Sequence, residues 1–178
     1  GTPLKFTYLP KISQNIQKAK GWFEKAREEL NYEGTYNYCY CTKSSHFRHI
    51  LGEALKNDIH IETSSAFDIN IVENLIEEGL ITDDQYVVCN GFKREEYVEN
   101  IARLVNSGHR KTITVIDNYE EVDLFSEAIE GDFEIGIRIA SEEEPKFEFY
   151  TSRLGIGYKD IGPFYQPMVK PYERIKLK

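Results

Sequence analysis

The sequence has 178 residues, with 30 acidic against 22 basic side chains for a formal charge of -8, and 40% of it is hydrophobic. That is enough apolar material for one packed core, so residues 1–178 are expected to form a single domain; the acid excess argues against a nucleic-acid surface, and no apolar run reaches the roughly 18 residues of a membrane span. Three cysteines suit a reducing compartment better than a disulfide framework, and the opening Gly1-Thr2-Pro3 has neither a basic nor an apolar leader, so a cytoplasmic α/β domain is expected.

Runs of strand length, rich in β-branched and aromatic residues, occupy residues 4–9, 36–41, 59–63, 86–89, 112–116 and 133–140. Between them lie segments of helical period. Ile12, Ile16, Ala19, Phe23, Ala26 and Leu30 form the first. Ile71, Val72, Leu75 and Ile76 lead to Gly79, Tyr97, Ile101, Leu104 and Val105 lead to Gly108, and Val122 to Ile129 lead to Gly131. Strand and helix thus alternate as βαβ units, which predicts a parallel sheet. The acidic run 142–144 reads as a solvated loop, and Gly162-Pro163, Pro167 and Pro171 break any long helix near the end. Five strands after the first helix do not close a (β/α)8 barrel, which takes about 200 residues at least. The periodicity leaves two architectures open, an open doubly wound sheet and part of a longer barrel.

Side chains alternate across a strand, so residues two apart share a face. Tyr36, Tyr38 and Tyr40 stand opposite Asn37, Cys39, Cys41 and Lys43; Ile59 and Ile61 opposite His60, Glu62 and Ser64; Ile135, Ile137 and Ile139 opposite Glu134, Gly136, Arg138 and Ala140. A bulky face fit to pack under helices therefore backs a face of small or ionisable residues. In parallel α/β folds ligands sit at the carboxyl ends of the strands, and Lys43, Glu62, Asn90, Asp117 and Arg138 all fall at or near such ends. Each alone reads equally as a loop residue or a structural ion pair. Arg138, flanked by Gly136 and Ala140, has room to reach an anion, for which Glu62, a phenolate or a phosphate are candidates. A partly desolvated Lys43 would have a lowered pKa and could form a Schiff base, for which pyridoxal phosphate is the common aldehyde.

Other signals carry less. Cys39-x-Cys41 lacks a second cysteine pair, Cys89 reads as buried, and His46 and His49 have no evident third ligand, so no metal site is expected. Gly155-Ile156-Gly157 is not a dinucleotide fingerprint, and no Walker loop or nucleophile elbow occurs.

Thr2-Pro3-Leu4 running into Tyr8-Leu9, a helix, and then a strand ending in Tyr40-Cys41-Thr42-Lys43 resemble the start of alanine-racemase-like, fold-type III pyridoxal-phosphate enzymes. Ile61-Glu62-Thr63-Ser64-Ser65 looks like the family's second barrel strand. Cys89-Asn90-Gly91-Phe92-Lys93 looks like the segment after the third strand in biosynthetic arginine decarboxylases. Gly136-Ile137-Arg138-Ile139-Ala140, followed by Thr151-Ser152-Arg153-Leu154-Gly155, resembles the fifth strand and its loop in the decarboxylase branch.

The resemblance implies the amino-terminal half of such an enzyme: a partial (β/α)8 barrel, about strands one to five, preceded by an extra strand and helix, without the rest of the barrel or the C-terminal β domain. It implies pyridoxal 5'-phosphate held by Lys43, with Arg138 offering positive charge to the cofactor and Glu62 orienting or balancing the lysine or arginine. The implied reaction of the parent is arginine to agmatine and carbon dioxide, in polyamine biosynthesis, by a homo-oligomer acting on a small-molecule amino-acid substrate, with no nucleic-acid or membrane partner. Diaminopimelate or another basic amino acid is the nearest alternative substrate, and a non-catalytic α/β binding module is the alternative class. The chain alone is expected to be inactive and prone to association through open sheet edges.

Overall fold

The computed structural model describes residues 3, 4, 6–140 and 155–178. Helix α1 (Pro10–Leu30) takes Pro10 in its first turn, where the missing N–H costs nothing, and ends at Asn31 in the left-handed conformation. Then follow β1 (Cys39–Cys41), α2 (Arg48–Leu55), β2 (His60–Thr63), α3 (Ala66–Glu77), β3 (Val87–Cys89), α4 (Glu95–Asn106), β4 (Thr112–Ile116), α5 (Glu120–Ala128) and β5 (Phe133–Ile137). A 3-10 turn at Tyr158–Asp160, α6 (Ile161–Met168) and β6 (Ile175–Leu177) complete the described elements.

The six strands form one sheet in the order β1-β2-β3-β4-β5-β6, every neighbouring pair parallel. A doubly wound sheet reverses its order at a switch point, and this one does not. Right-handed crossovers between strands laid down in sequence put every connecting helix on the same face. The burial pattern agrees. Ile61, Val87, Cys89, Thr114, Ile116 and Ile135 are sealed beneath the helices, whereas Cys41, Glu62, Val88, Ile113 and Glu134, in register across the sheet, are only half-buried on the other face. The architecture is an α/β arc consistent with part of a TIM-like barrel, the second of the two options left open by periodicity.

The core lies between sheet and helices. Helix α4 illustrates its logic: Tyr97, Val98, Ile101, Leu104 and Val105 recur at three- and four-residue steps and are all buried. Helix α1 departs from its own pattern, burying only Ile16, while Phe23 and Leu30 stay exposed. Phe23 stacks instead on Tyr36, ring centroids 3.9 Å apart. Residues 4 and 6–8 carry no strand, so the expected extra N-terminal strand is replaced by an irregular lead into α1, with Leu4, Phe6 and Tyr8 exposed and no neighbouring strand to pair with. Strand β6 went unanticipated because Ile175-Lys176-Leu177 is too short and too charged to stand out. Helix α6 forms despite two prolines: Pro163 lies in its first turn, Pro167 next to its end, and fully buried Phe164 anchors it edge-on to Tyr119. The acidic run 142–144 and Thr151–Leu154 of the resemblance lie outside the described residues.

Candidate functional site

The carboxyl ends of β1 to β5 form a rim, and the sequence-predicted residues meet it in three separate settings. At the first, the amide of Thr42 donates to the carbonyl of Glu62 at 3.0 Å, so pairing continues one residue beyond β1. Thr42 is fully buried, and Lys43 emerges next to it, exposed. Among the described residues the Lys43 amine has no hydrogen-bond or ion-pair partner. The partial desolvation expected of Lys43 is therefore not found; β1 is an edge strand of this sheet, so its end has a neighbouring strand on one side only.

The second setting is built of neutral groups around Glu62. Asn90 donates through Nδ2 to Glu62 Oε1 at 3.0 Å, and its own amide donates to the Thr63 carbonyl at 3.0 Å. Tyr97 reaches over from α4: its hydroxyl donates to the Asn90 carbonyl at 3.1 Å and shares a hydrogen bond with Thr63 Oγ1 at 2.9 Å. Burial pushes the Tyr97 phenol far above its usual range and the Cys89 thiol up to about 12, so both stay protonated. Burial, then the Glu62 charge, also raises Cys39. Gly91 holds a positive φ of 86°, and a β-carbon there would come 3.3 Å from the Ser64 carbonyl, so only glycine lets the loops after β2 and β3 touch.

The third setting is ionic. Arg138 Nη1 lies 3.5 Å from Asp117 Oδ1; the arginine side chain is 36% exposed and the aspartate side chain 1%. Asp117 Oδ2 is buried without a partner among the described residues. Behind this pair sits a second one, wholly enclosed: Lys93 Nζ is 3.4 Å from Glu121 Oε2, with side chains 0% and 1% exposed. The Lys93 ammonium also donates to the carbonyls of Gly91, at 2.6 Å, and Val115. Glu121 accepts from the amides of Lys93, at 3.1 Å, and Asp117, at 2.9 Å, and from the Asn118 side chain. Burial pushes the Lys93 amine down and the Glu121 carboxyl up, while their mutual attraction pulls each back. At the far side of Arg138, Gly155 at φ 93° lets residues 155–156 lie against the strand: Ile156 donates to the Arg138 carbonyl at 2.7 Å, and a β-carbon on Gly155 would stand 2.8 Å from that oxygen.

Lys43 and Glu62 therefore end neighbouring strands. Arg138 stands four strands from Lys43, about 19 Å measured along a sheet, and its carboxylate is Asp117, the neighbour one strand away, not the Glu62 considered from sequence. Sequence reading missed Tyr97, Lys93 and Glu121. Tyr97 was counted as an apolar helix position and its hydroxyl overlooked; Lys93 and Glu121 are charged residues in loop and helix-start positions, and nothing local marks them as buried. Chemically, among the described residues the rim offers the exposed Lys43 amine, the partly exposed Arg138 guanidinium and the Glu62 carboxylate held by the Asn90 side-chain amide.

No family model matches the chain. Relatives among curated proteins include the biosynthetic arginine decarboxylase of Nostoc sp., 28% identical over 142 residues that cover 78% of this chain and 20% of that protein. That of Pasteurella multocida is 24% identical over 179 residues, covering 96% of this chain and 27% of that protein. The crystal structure of the biosynthetic arginine decarboxylase SpeA from Campylobacter jejuni superposes with a TM-score of 0.62 at 20% identity, over 83% of this chain and 24% of that one. The chain thus spans between a fifth and just over a quarter of the length of these relatives. Their names agree with the resemblance read from the residues, and the fold agrees with the arc of parallel strands. The chain is similar, in sequence and in fold, to a part of the biosynthetic arginine decarboxylases.

Proposed function

We propose that this chain is the amino-terminal part of a pyridoxal-phosphate-dependent decarboxylase of basic amino acids, with arginine as substrate and agmatine and carbon dioxide as products. The observation that carries the proposal is Lys43, an uncommitted amine at the carboxyl end of β1, where parallel α/β folds gather their ligands. Pyridoxal phosphate, when bound, supplies an aldehyde that condenses with amines and a ring that takes up the electrons left behind when carbon dioxide departs.

The donor set fits such a group. It needs a free amine, met by Lys43, and cationic or N–H donors for its anionic substituents. Arg138 is partly exposed on the same rim, and among the described residues its one carboxylate contact leaves further N–H donors for a ligand. In this reading Lys43 would hold the cofactor through its amine and, once the substrate amine took that place, would be free to hold or move a proton at its Nζ. Glu62, fixed by Asn90, orients or balances that cation, and Arg138 supplies positive charge to an anionic group. The remaining residues of the site, the oligomer and the substrate pocket belong to the whole protein.

The test is borohydride reduction of the whole protein in the presence of pyridoxal phosphate, followed by peptide mapping. A pyridoxyl label on Lys43, lost in Lys43→Ala together with carbon dioxide release from arginine, is the expected result. A label on another lysine removes Lys43 from the role, and no label on a folded protein leaves a non-catalytic binding module. Release from diaminopimelate in place of arginine would move the substrate assignment within the same chemistry.

A further inference from the structure

Lys93 and Glu121 lie behind the rim, touch no ligand-facing space and are the most deeply buried ion pair among the described residues. Stability alone is a weak reason for such a pair, since well-packed apolar residues usually serve as well or better. What distinguishes this one is where its hydrogen bonds go. The Lys93 ammonium ties Gly91 of the β3–α4 loop and Val115 of β4 to Glu121 of α5. Glu121 then takes the backbone amide of Asp117, and Asp117 presents the carboxylate on which Arg138 rests.

Two details make this connection consequential. The Asp117 carboxylate has one oxygen buried with no partner among the described residues, which hold it through its other oxygen alone. The 3.5 Å separation from Arg138 is at the outer limit of a hydrogen bond, where a small displacement of Asp117 releases the guanidinium. Asp117 thus links the Arg138 guanidinium to Glu121, through one side-chain contact and one backbone amide, while β4–β5 pairing holds Ile116 beside it.

We infer that Lys93 and Glu121 are positioning residues that fix Asp117 and, through it, aim the Arg138 guanidinium at an anionic group of the bound ligand. The inference deepens the proposed function and rests on its reading of Arg138 as a ligand-facing cation. Neither residue touches the ligand. Their effect is carried wholly by Asp117 and Arg138, and that is what the test must isolate.

The experiment uses the whole protein with Glu121→Gln, which keeps shape and removes charge, and with the double variant Lys93→Met/Glu121→Gln, which leaves no unpaired buried ammonium and carries the test where the single variant fails to fold. Without ligand, hydrogen exchange at the Asp117 amide is expected to quicken about tenfold or more, and the Arg138 side-chain N–H resonance to broaden or vanish. Titration with pyridoxal phosphate is then expected to show about tenfold weaker binding in the variant. In an Arg138→Ala background the same substitutions should change that affinity no further. Unchanged exchange at Asp117, or losses that add to those of Arg138→Ala, overturns the inference. Loosening of Asp117 and Arg138 in a protein whose unsubstituted form binds no pyridoxal phosphate supports the positioning and overturns the cofactor reading instead.

Discussion

Two corners of the rim face the same physical problem, how to hold one charged side chain at the end of a buried parallel strand, and solve it differently. At the β2–β3 corner Glu62 is held by neutral groups, an asparagine amide backed by a tyrosine hydroxyl and a threonine. At the β4–β5 corner Arg138 is held by a carboxylate whose backbone is fixed by a second, enclosed ion pair. A neutral scaffold loses about one hydrogen bond when one member is removed. An enclosed ionic one leaves a charge stranded, so its members must be kept or lost together.

The comparison breaks most visibly at Lys93. Lys93→Met leaves the buried Glu121 carboxylate with its amide donors but no counter-charge, and urea unfolding should show a loss of about 3–5 kcal/mol. Adding Glu121→Gln should recover most of it. Equal losses in the single and double variants would show that the pair contributes through packing and that the contrast between the corners is false. The neutral corner should respond more mildly: Tyr97→Phe removes a hydroxyl used by Thr63 and the Asn90 carbonyl, at about 1–2 kcal/mol. A loss at Tyr97 as large as that at Lys93 would erase the distinction.

Acid sharpens the picture from below. Each corner has a histidine near the opposite end of its strands, His60 at the start of β2 and His109 just ahead of β4. His60 accepts the Tyr86 amide at Nδ1, and buried His109 meets Thr112 Oγ1 at 3.0 Å. Burial, the largest cause for both, lowers their pKa below the ordinary 6.5. The folded protein then binds fewer protons than the unfolded one, so their contribution is full above about pH 6.5 and falls as pH drops through the lower folded values. Melting curves between pH 7.5 and 5 (on the order of the imidazole range) should shift downward, and less so in His109→Gln. A melting temperature that rises on acidification would reverse the sign of this account.

Much of this molecule was readable in its sequence. Alternation placed Ile61 and Ile135 under the helices and Glu62 and Arg138 opposite them, because a strand has no freedom to do otherwise. Periodicity did not choose between a reversed and a sequential sheet, since strand order is decided by which crossover packs where and leaves no local mark; the family resemblance did, and the sheet is sequential. Asp117 was not among the Arg138 partners considered, for a similar reason: it lies 21 positions away in the chain, and the parallel β4–β5 pairing is what brings it to the guanidinium. Lys93 and Glu121 were invisible because burial of a charge depends on a partner that sequence spacing does not reveal. Leu4 and residues 6–8 show the converse error, strand composition without a strand partner among the described residues.

The unbroken strand order has a consequence for how the molecule comes apart. Each strand and its following helix lean chiefly on the unit before and the unit after, so cooperativity passes from neighbour to neighbour, as in a linear array of repeats. Such an array loses protection from its edges inward. In a protein of these 178 residues alone, slow-exchanging amides should concentrate in β3 and β4, with protection declining outward toward β1 and β6.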